Sequence, residues 1–268
     1  MTIGVSAAPA EHCSEQTVCV AGAWLDDHTL VFTARNLSDF PLTVTIRVRS
    51  VMTDSGAEEK TMKTIAPGSE TQLLRYTRAD AQDAKPRFKF NYDWGFGVAH
   101  VDHDDDYEYR LPYERGKRYR VLQGYGSRFS HTGNEHNTVD FKMRRGTPVH
   151  AARDGVVMAL KEHHGEGCWE DRCKRTANYV RVLHADGSTG EYYHLLRDGV
   201  LVALGEQVTR GQKIGLSGNS GHSTTPHLHF GVYEAIEWGR TRSIAVRFAR
   251  QGGSVIKPRR GRGYVASD

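Results

Sequence analysis

Between Leu42 and Arg49 apolar and polar residues alternate without a break, Leu-Thr-Val-Thr-Ile-Arg-Val-Arg. A period of two predicts a half-buried β-strand. Thr29 to Arg35 reads the same way after an Asp26-Asp27-His28 turn, and Asn36 to Pro41 joins the two. Further strands are predicted at Glu70 to Tyr76, after Ala66-Pro67-Gly68-Ser69, and at Arg87 to Asn91. Short, regularly spaced strands with no amphipathic helical period predict an antiparallel sandwich of immunoglobulin-like kind. From Arg120 the strand pattern resumes, with candidates at 138–143, 155–161, 177–183, 190–195, 213–217 and 227–234 separated by Gly-containing turns. The stretch between is acidic and histidine-laced, His100-Val101-Asp102-His103-Asp104-Asp105-Asp106. It lacks the glycine pattern of a cation-binding loop and is read as an exposed linker. The expected organisation is all-β: a sandwich over 1–97, a linker over 98–118 and a second β domain over 119–268 ending in a basic tail.

Composition changes this picture little. The 268 residues suffice for two cores, and the charged and apolar fractions are those of a globular chain. No apolar run is long enough to span a membrane. The net charge of +4 owes much to Lys257-Pro258-Arg259-Arg260-Gly261-Arg262, which reads as a solvated terminus rather than a nucleic-acid site. The four cysteines change the picture more. Cys13 with Cys19 and Cys168 with Cys173 form two close pairs, favouring two small disulfide loops, each stabilising by roughly 2 kcal/mol, over free thiols or a zinc knuckle. Met1-Thr2-Ile3-Gly4 does not resemble a signal peptide. The protein is therefore cytosolic or a mature form without its leader, and the cysteines favour the second, a periplasmic or secreted location.

Candidate chemistry gathers in the second half. In Pro226-His227-Leu228-His229-Phe230, an extended backbone puts His227 and His229 on one face and Leu228 and Phe230 on the other. His136-Asn137-Thr138-Val139-Asp140-Phe141 pairs a histidine with an aspartate four residues on, again one face of a strand. His194 follows Glu191-Tyr192-Tyr193, and Val208 to Gly215 leads into the glycine-rich Gly218-Asn219-Ser220-Gly221. Each piece alone is weak, since such pairs arise by chance in a histidine-rich chain.

In this order and spacing the segments, spanning Gly124 to Tyr233, resemble the M23 (LytM/lysostaphin-type) family of zinc metallopeptidases. The resemblance implies an antiparallel β-sheet peptidase domain with Zn2+ held by His136, Asp140 and His229, and with His194 and His227 as the catalytic pair. His131, five residues before His136, is passed over because the His-x-x-x-Asp spacing favours His136. The implied function is cleavage of peptide cross-links in bacterial peptidoglycan, acting on its peptide stems. The alternatives are a non-enzymatic LytM-type activator of other cell-wall hydrolases and a secreted zinc peptidase acting on ordinary proteins. No catalytic constellation falls in the first domain, which is expected to dock, recruit an envelope partner or cover the groove.

Overall fold

The computed structural model describes residues 10–50, 58–78, 88–253 and 255–267. The expectations placed on Met1 to Gly4 and on Arg87 lie outside them. The chain divides into two compact units, Met1–His100 with Ala235–Thr241, and Val101–Glu234 with Arg242–Asp268.

Among its described residues the first unit has the strands β1 (Ala10–Ser14), β2 (Val18–Trp24), β3 (Thr29–Asn36), β4 (Leu42–Ser50), β5 (Glu58–Ile65), β6 (Glu70–Thr77) and β7 (Phe88–Phe96). They form two antiparallel sheets, β1-β2-β3-β6 and β5-β4-β7, an immunoglobulin-like sandwich. The alternation in β4 does what its period predicts: Leu42, Val44, Ile46 and Val48 face a core shared with Val20, Phe32, Ala34 and Phe90. Strand β5 escaped the sequence reading because its sequence, Glu-Glu-Lys-Thr-Met-Lys-Thr-Ile, is largely polar, as suits the edge position it occupies. Asn36 ends β3 with its amide donating to the carbonyls of Phe40, Ile65 and Ala66 at 2.8, 3.1 and 3.1 Å, closing the turn that the sequence places there.

In the second unit the strands are β8 (Glu108–Arg110), β9 (Arg118–Gln123), β10 (Val139–Phe141), β11 (Pro148–His150), β12 (Gly155–Lys161), β13 (Tyr179–Leu183), β14 (Thr189–Tyr193), β15 (Leu195–Val200), β16 (Gln207–Val208), β17 (Lys213–Ser217), β18 (Leu228–Ile236), β19 (Arg240–Ile244), β20 (Arg247–Ala249), β21 (Val255–Ile256) and β22 (Gly263–Val265). The main sheet runs β16-β12-β13-β14-β18-β10-β9-β22, and two smaller sheets are β11-β17-β15 and β21-β20-β8. Its core holds Val139, Phe141, Leu228 and Phe230, the apolar partners of the histidine and aspartate positions.

One expectation is corrected. The segment 98–118 is more than an exposed linker: Tyr109, Leu111 and Tyr113 are fully buried in the second core, and β8 pairs in parallel with β20. Their tyrosine-rich apolar spacing was obscured by the charges around them. In the basic run Lys257, Arg259, Arg260 and Arg262 are exposed, as expected, and the chain beyond it is structured: β22 pairs with β9 and Ala266 is buried. The two cysteine pairs lie at disulfide distance, 2.04 Å for Cys13–Cys19 and 1.95 Å for Cys168–Cys173.

Candidate active site

One row across the main sheet sets the site. In antiparallel register Gln123 lies opposite Asp140, Asp140 opposite His229, and His229 opposite Tyr193. Directly opposed residues share a face, so strand pairing alone brings an aspartate and a histidine from distant sequence positions together. Asp140 Oδ1 is 2.9 Å from His229 Nδ1, and Gln123 Nε2 donates to Asp140 Oδ2 at 2.6 Å. His227 is on the same face as His229, its Nε2 3.7 Å from Asp140 Oδ1, as the His-x-His alternation requires.

The third position of this cluster is taken by His131. Its Nε2 lies 3.2 Å from Asp140 Oδ1 and its ring 5.3 Å from that of His229. His136 is instead exposed, with Nδ1 3.0 Å from Asn137 Oδ1. The expectation for His136 assumed an extended backbone through to Asp140. In fact a 3-10 turn covers Gly133–Glu135, His136 follows with helical dihedrals of −54° and −37°, and β10 begins only at Val139. The period of two therefore cannot be counted back to His136. His131 is held instead by its backbone N–H, which donates to the Ser127 carbonyl at 3.1 Å, and by its Nδ1, which donates to the Gly124 carbonyl at 3.2 Å.

His194 reaches the site by a different device. It follows β14 with φ of 64°, a left-handed conformation uncommon outside glycine. That residue breaks the strand alternation, so His194 joins the face of Tyr193 and His229 rather than the opposite one, with its ring 4.6 Å from His227 and 6.0 Å from His229. Its Nδ1 donates to the Ser220 carbonyl at 2.7 Å, and His227 Nδ1 donates to the Thr225 carbonyl at 2.7 Å. Both catalytic candidates are thereby fixed in the tautomer that leaves Nε2 free. The glycine-rich loop supplies one of these carbonyls. At Gly221 φ is +76°, and a Cβ would meet Ala177 at 2.5 Å, so only glycine lets the loop lie this close to the segment that leads into β13.

Electrostatics divide the histidines. Burial, reinforced by His227 and His229, pushes His194 down to about 3, and burial likewise lowers His227 against the pull of Asp140. Both are neutral at pH 7. For His229 burial acts in the same downward direction, but hydrogen bonds to Asp140 and Glu135 overcome it and raise the ring to about 10. Asp140 is held well below the usual carboxylate range: burial opposes this, and the hydrogen bond and charge of His229 outweigh it.

The donors fit a metal ion. His131 Nε2, an Asp140 oxygen and a His229 nitrogen lie within 4.8 Å of one another. With its Nδ1 proton committed to Gly124, His131 presents a buried Nε2 that has no hydrogen-bond partner. A bare lone pair facing a carboxylate is a defect unless a cation stands between them. Two imidazoles and one carboxylate suit zinc and leave a fourth position open.

Above this cluster runs a groove of about 400 Å³ lined by Gln123, Asp140, His194, His227 and His229, with Phe129 and Trp169 on its rim. No motif points to Gln123, Phe129 or Trp169, whose positions depend on strand order and on the Cys168–Cys173 loop. Tyr192 packs in the core, donating no chemistry, and Tyr193 donates to Glu191 Oε2 at 2.7 Å.

An antiparallel sheet bearing a His/Asp/His donor set beside two neutral histidines defines a domain of the metallopeptidase class. Residues 134–242 match the model of peptidase family M23, and the chain carries a domain of that family. The peptidoglycan DD-endopeptidase ShyA of Vibrio cholerae is 38% identical over 132 residues, 48% of this chain and 27% of ShyA. Glycyl-glycine endopeptidase ALE-1 of Staphylococcus capitis is 39% identical over 115 residues, 42% of this chain and 28% of that protein. Lysostaphin of Staphylococcus simulans is 38% identical over 115 residues, covering 42% and 21%. The chain thus matches about a quarter of the length of these curated relatives. Among solved structures, the catalytic domain of lysostaphin superposes over 47% of this chain and 87% of its own at 27% identity, with a TM-score of 0.33. A zinc-containing peptidase from Vibrio cholerae covers 88% and 83% at 17% identity, with a TM-score of 0.38.

Proposed function

We propose that this protein is a zinc-dependent endopeptidase that cleaves peptide cross-links of bacterial peptidoglycan in the periplasm or outside the cell. The observation that carries the reading is the convergence of His131 Nε2, Asp140 Oδ1 and His229 Nδ1 beside two histidines whose Nε2 atoms are free. The M23 family match and relatives named as peptidoglycan and glycyl-glycine endopeptidases support the substrate class.

His131, Asp140 and His229 would hold the ion, with His136 outside the set. Bound zinc would supply an acidified water and polarise the scissile carbonyl. The chain's own residues handle the protons. His194 and His227, neutral and tautomer-fixed, can take a proton from the attacking water at Nε2, hydrogen-bond the oxyanion and return the proton to the leaving amine. Their backbone anchors, the Ser220 and Thr225 carbonyls, spare the reaction the cost of orienting two rings. Gln123 keeps the second carboxylate oxygen of Asp140 occupied, so Oδ1 alone faces the donors.

A non-enzymatic activator would need none of this apparatus, and the complete set of donors and paired histidines favours the enzyme. The test is digestion of purified peptidoglycan with mass analysis of the released fragments, using wild type and Asp140→Ala. New peptide termini appearing only with wild type are expected. Intact peptidoglycan together with cleavage of an unrelated protein would transfer the reading to an ordinary secreted peptidase, and cleavage of neither would favour the activator.

A further inference from the structure

Strand β18 carries a second pattern on the face that holds the site. His229, Gly231 and Tyr233 are two apart and share that face. Tyr233 is almost completely buried and lies back along its own strand over Gly231, where a Cβ would meet its ring at 2.7 and 3.0 Å and Thr138 Cγ2 at 2.8 Å. This brings Tyr233 Oη to 3.2 Å from His229 Nε2. Tyr233 in turn donates to Glu135 Oε2 at 2.6 Å. Glu135 ends the 3-10 turn Gly133–Glu135, and its own carbonyl accepts from Thr138 Oγ1 at 2.7 Å, tying the turn to β10.

A phenol has one proton. Since Tyr233 spends it on Glu135, its oxygen can only accept, and His229 must donate from Nε2. The opposite nitrogen, Nδ1, faces Asp140. We propose that Glu135 and Tyr233 are positioning residues that hold His229 Nε2 protonated, so that Nδ1 is the atom offered to the metal. The inference rests on the reading of His131, Asp140 and His229 as metal donors, and it adds a carboxylate–phenol–imidazole chain, with the phenol buried, behind one of them. Groups behind a metal-bound histidine fix its tautomer and orientation and raise its basicity. Gly231 belongs to the same device, because a side chain there would lift Tyr233 off the strand.

The test is zinc affinity, measured by competition with a chromophoric chelator, for wild type, Tyr233→Phe, Glu135→Gln and the double variant. Thermal melts of the zinc-free proteins run alongside. Tyr233→Phe keeps the ring packing, and Glu135, with its side chain 44% exposed, can be changed without opening the core. Each single variant is expected to weaken zinc binding about 10- to 100-fold with little change in the melt. The double variant should lose no more than the worse single variant, because both break one chain. Gly231→Ala should weaken binding similarly. Wild-type zinc affinity in Tyr233→Phe and Glu135→Gln would overturn the proposal. A drop in the zinc-free melt with unchanged affinity would do the same, reducing the pair to a structural contact. If wild type itself binds no zinc, the donor assignment fails instead, a result distinguishable from failure of the chain behind His229.

Discussion

The two units are both antiparallel β structures closed over apolar cores, yet they bury different polar groups. Among the described residues the first unit buries only neutral ones, Thr29, Asn36, Thr43 and Thr45, and Asn36 is satisfied by neighbouring carbonyls. The second buries Arg110, His131, Asp140, His184, Glu191 and His227. An ionisable group taken out of water costs several kcal/mol unless it is paired or neutralised, so a fold keeps such groups where they serve a purpose. In the sandwich Asn36 closes a turn, whereas in the second unit His131, Asp140 and His227 gather with His229 and His194 at one cluster.

The sharpest break of that contrast comes from the donors. Asp140→Ala and His131→Ala should lose bound zinc and reduce peptidoglycan cleavage to background, whereas His136→Ala should keep both within about twofold. Metal analysis and fragment release settle it, and zinc loss in His136→Ala with retention in His131→Ala would return the ligand role to His136. Next in size, His194→Ala and His227→Ala should retain zinc but slow turnover about 10²- to 10⁴-fold, the range for removal of a proton-transfer group. Loss of zinc in either would move that histidine into the donor set.

A smaller effect tests the cost of buried ionisable groups away from the site. His184, almost fully buried with Nδ1 on the Asp154 carbonyl at 2.8 Å, is pushed down to about 4 by burial, with Arg153 assisting. The unfolded chain then takes up this proton first as pH falls through about 6.5, while the folded protein resists until about 4. Folding stability should be unaffected by this group above pH 6.5 and decline between 6.5 and 4, by up to about 3 kcal/mol at the lower end. Denaturant midpoints at pH 7 and pH 4.5 measure it. A His184→Gln variant should show a shallower decline than wild type, and equal slopes would remove His184 from the account. Smallest, Asn36→Ala in the sandwich should cost about 1–3 kcal/mol by stranding buried carbonyls, with zinc affinity unchanged.

Much of the fold was legible because strand periodicity is local. The alternation in β4 and the runs that became β12 and β17 named their own burial, and the apolar partners in Leu228-His229-Phe230 announced which face was core. Polar edge strand β5 and the buried tyrosines of 109–113 were not legible, because neighbouring charges mask the period.

At the site, sequence determined the residue types and most of the members: Asp140, His229, His227 and His194 all line one groove, as their motifs implied. Only the tertiary structure showed that His131, and not His136, lies beside Asp140 and His229. Counting along a chain gives a side chain's direction only while the backbone stays extended. The 3-10 turn at Gly133–Glu135 and the left-handed His194 each reset that count. Strand order decided the rest, because it is the register of β9, β10, β14 and β18 that places Gln123, Asp140, His229 and Tyr193 in one row, and no local pattern encodes which strands become neighbours.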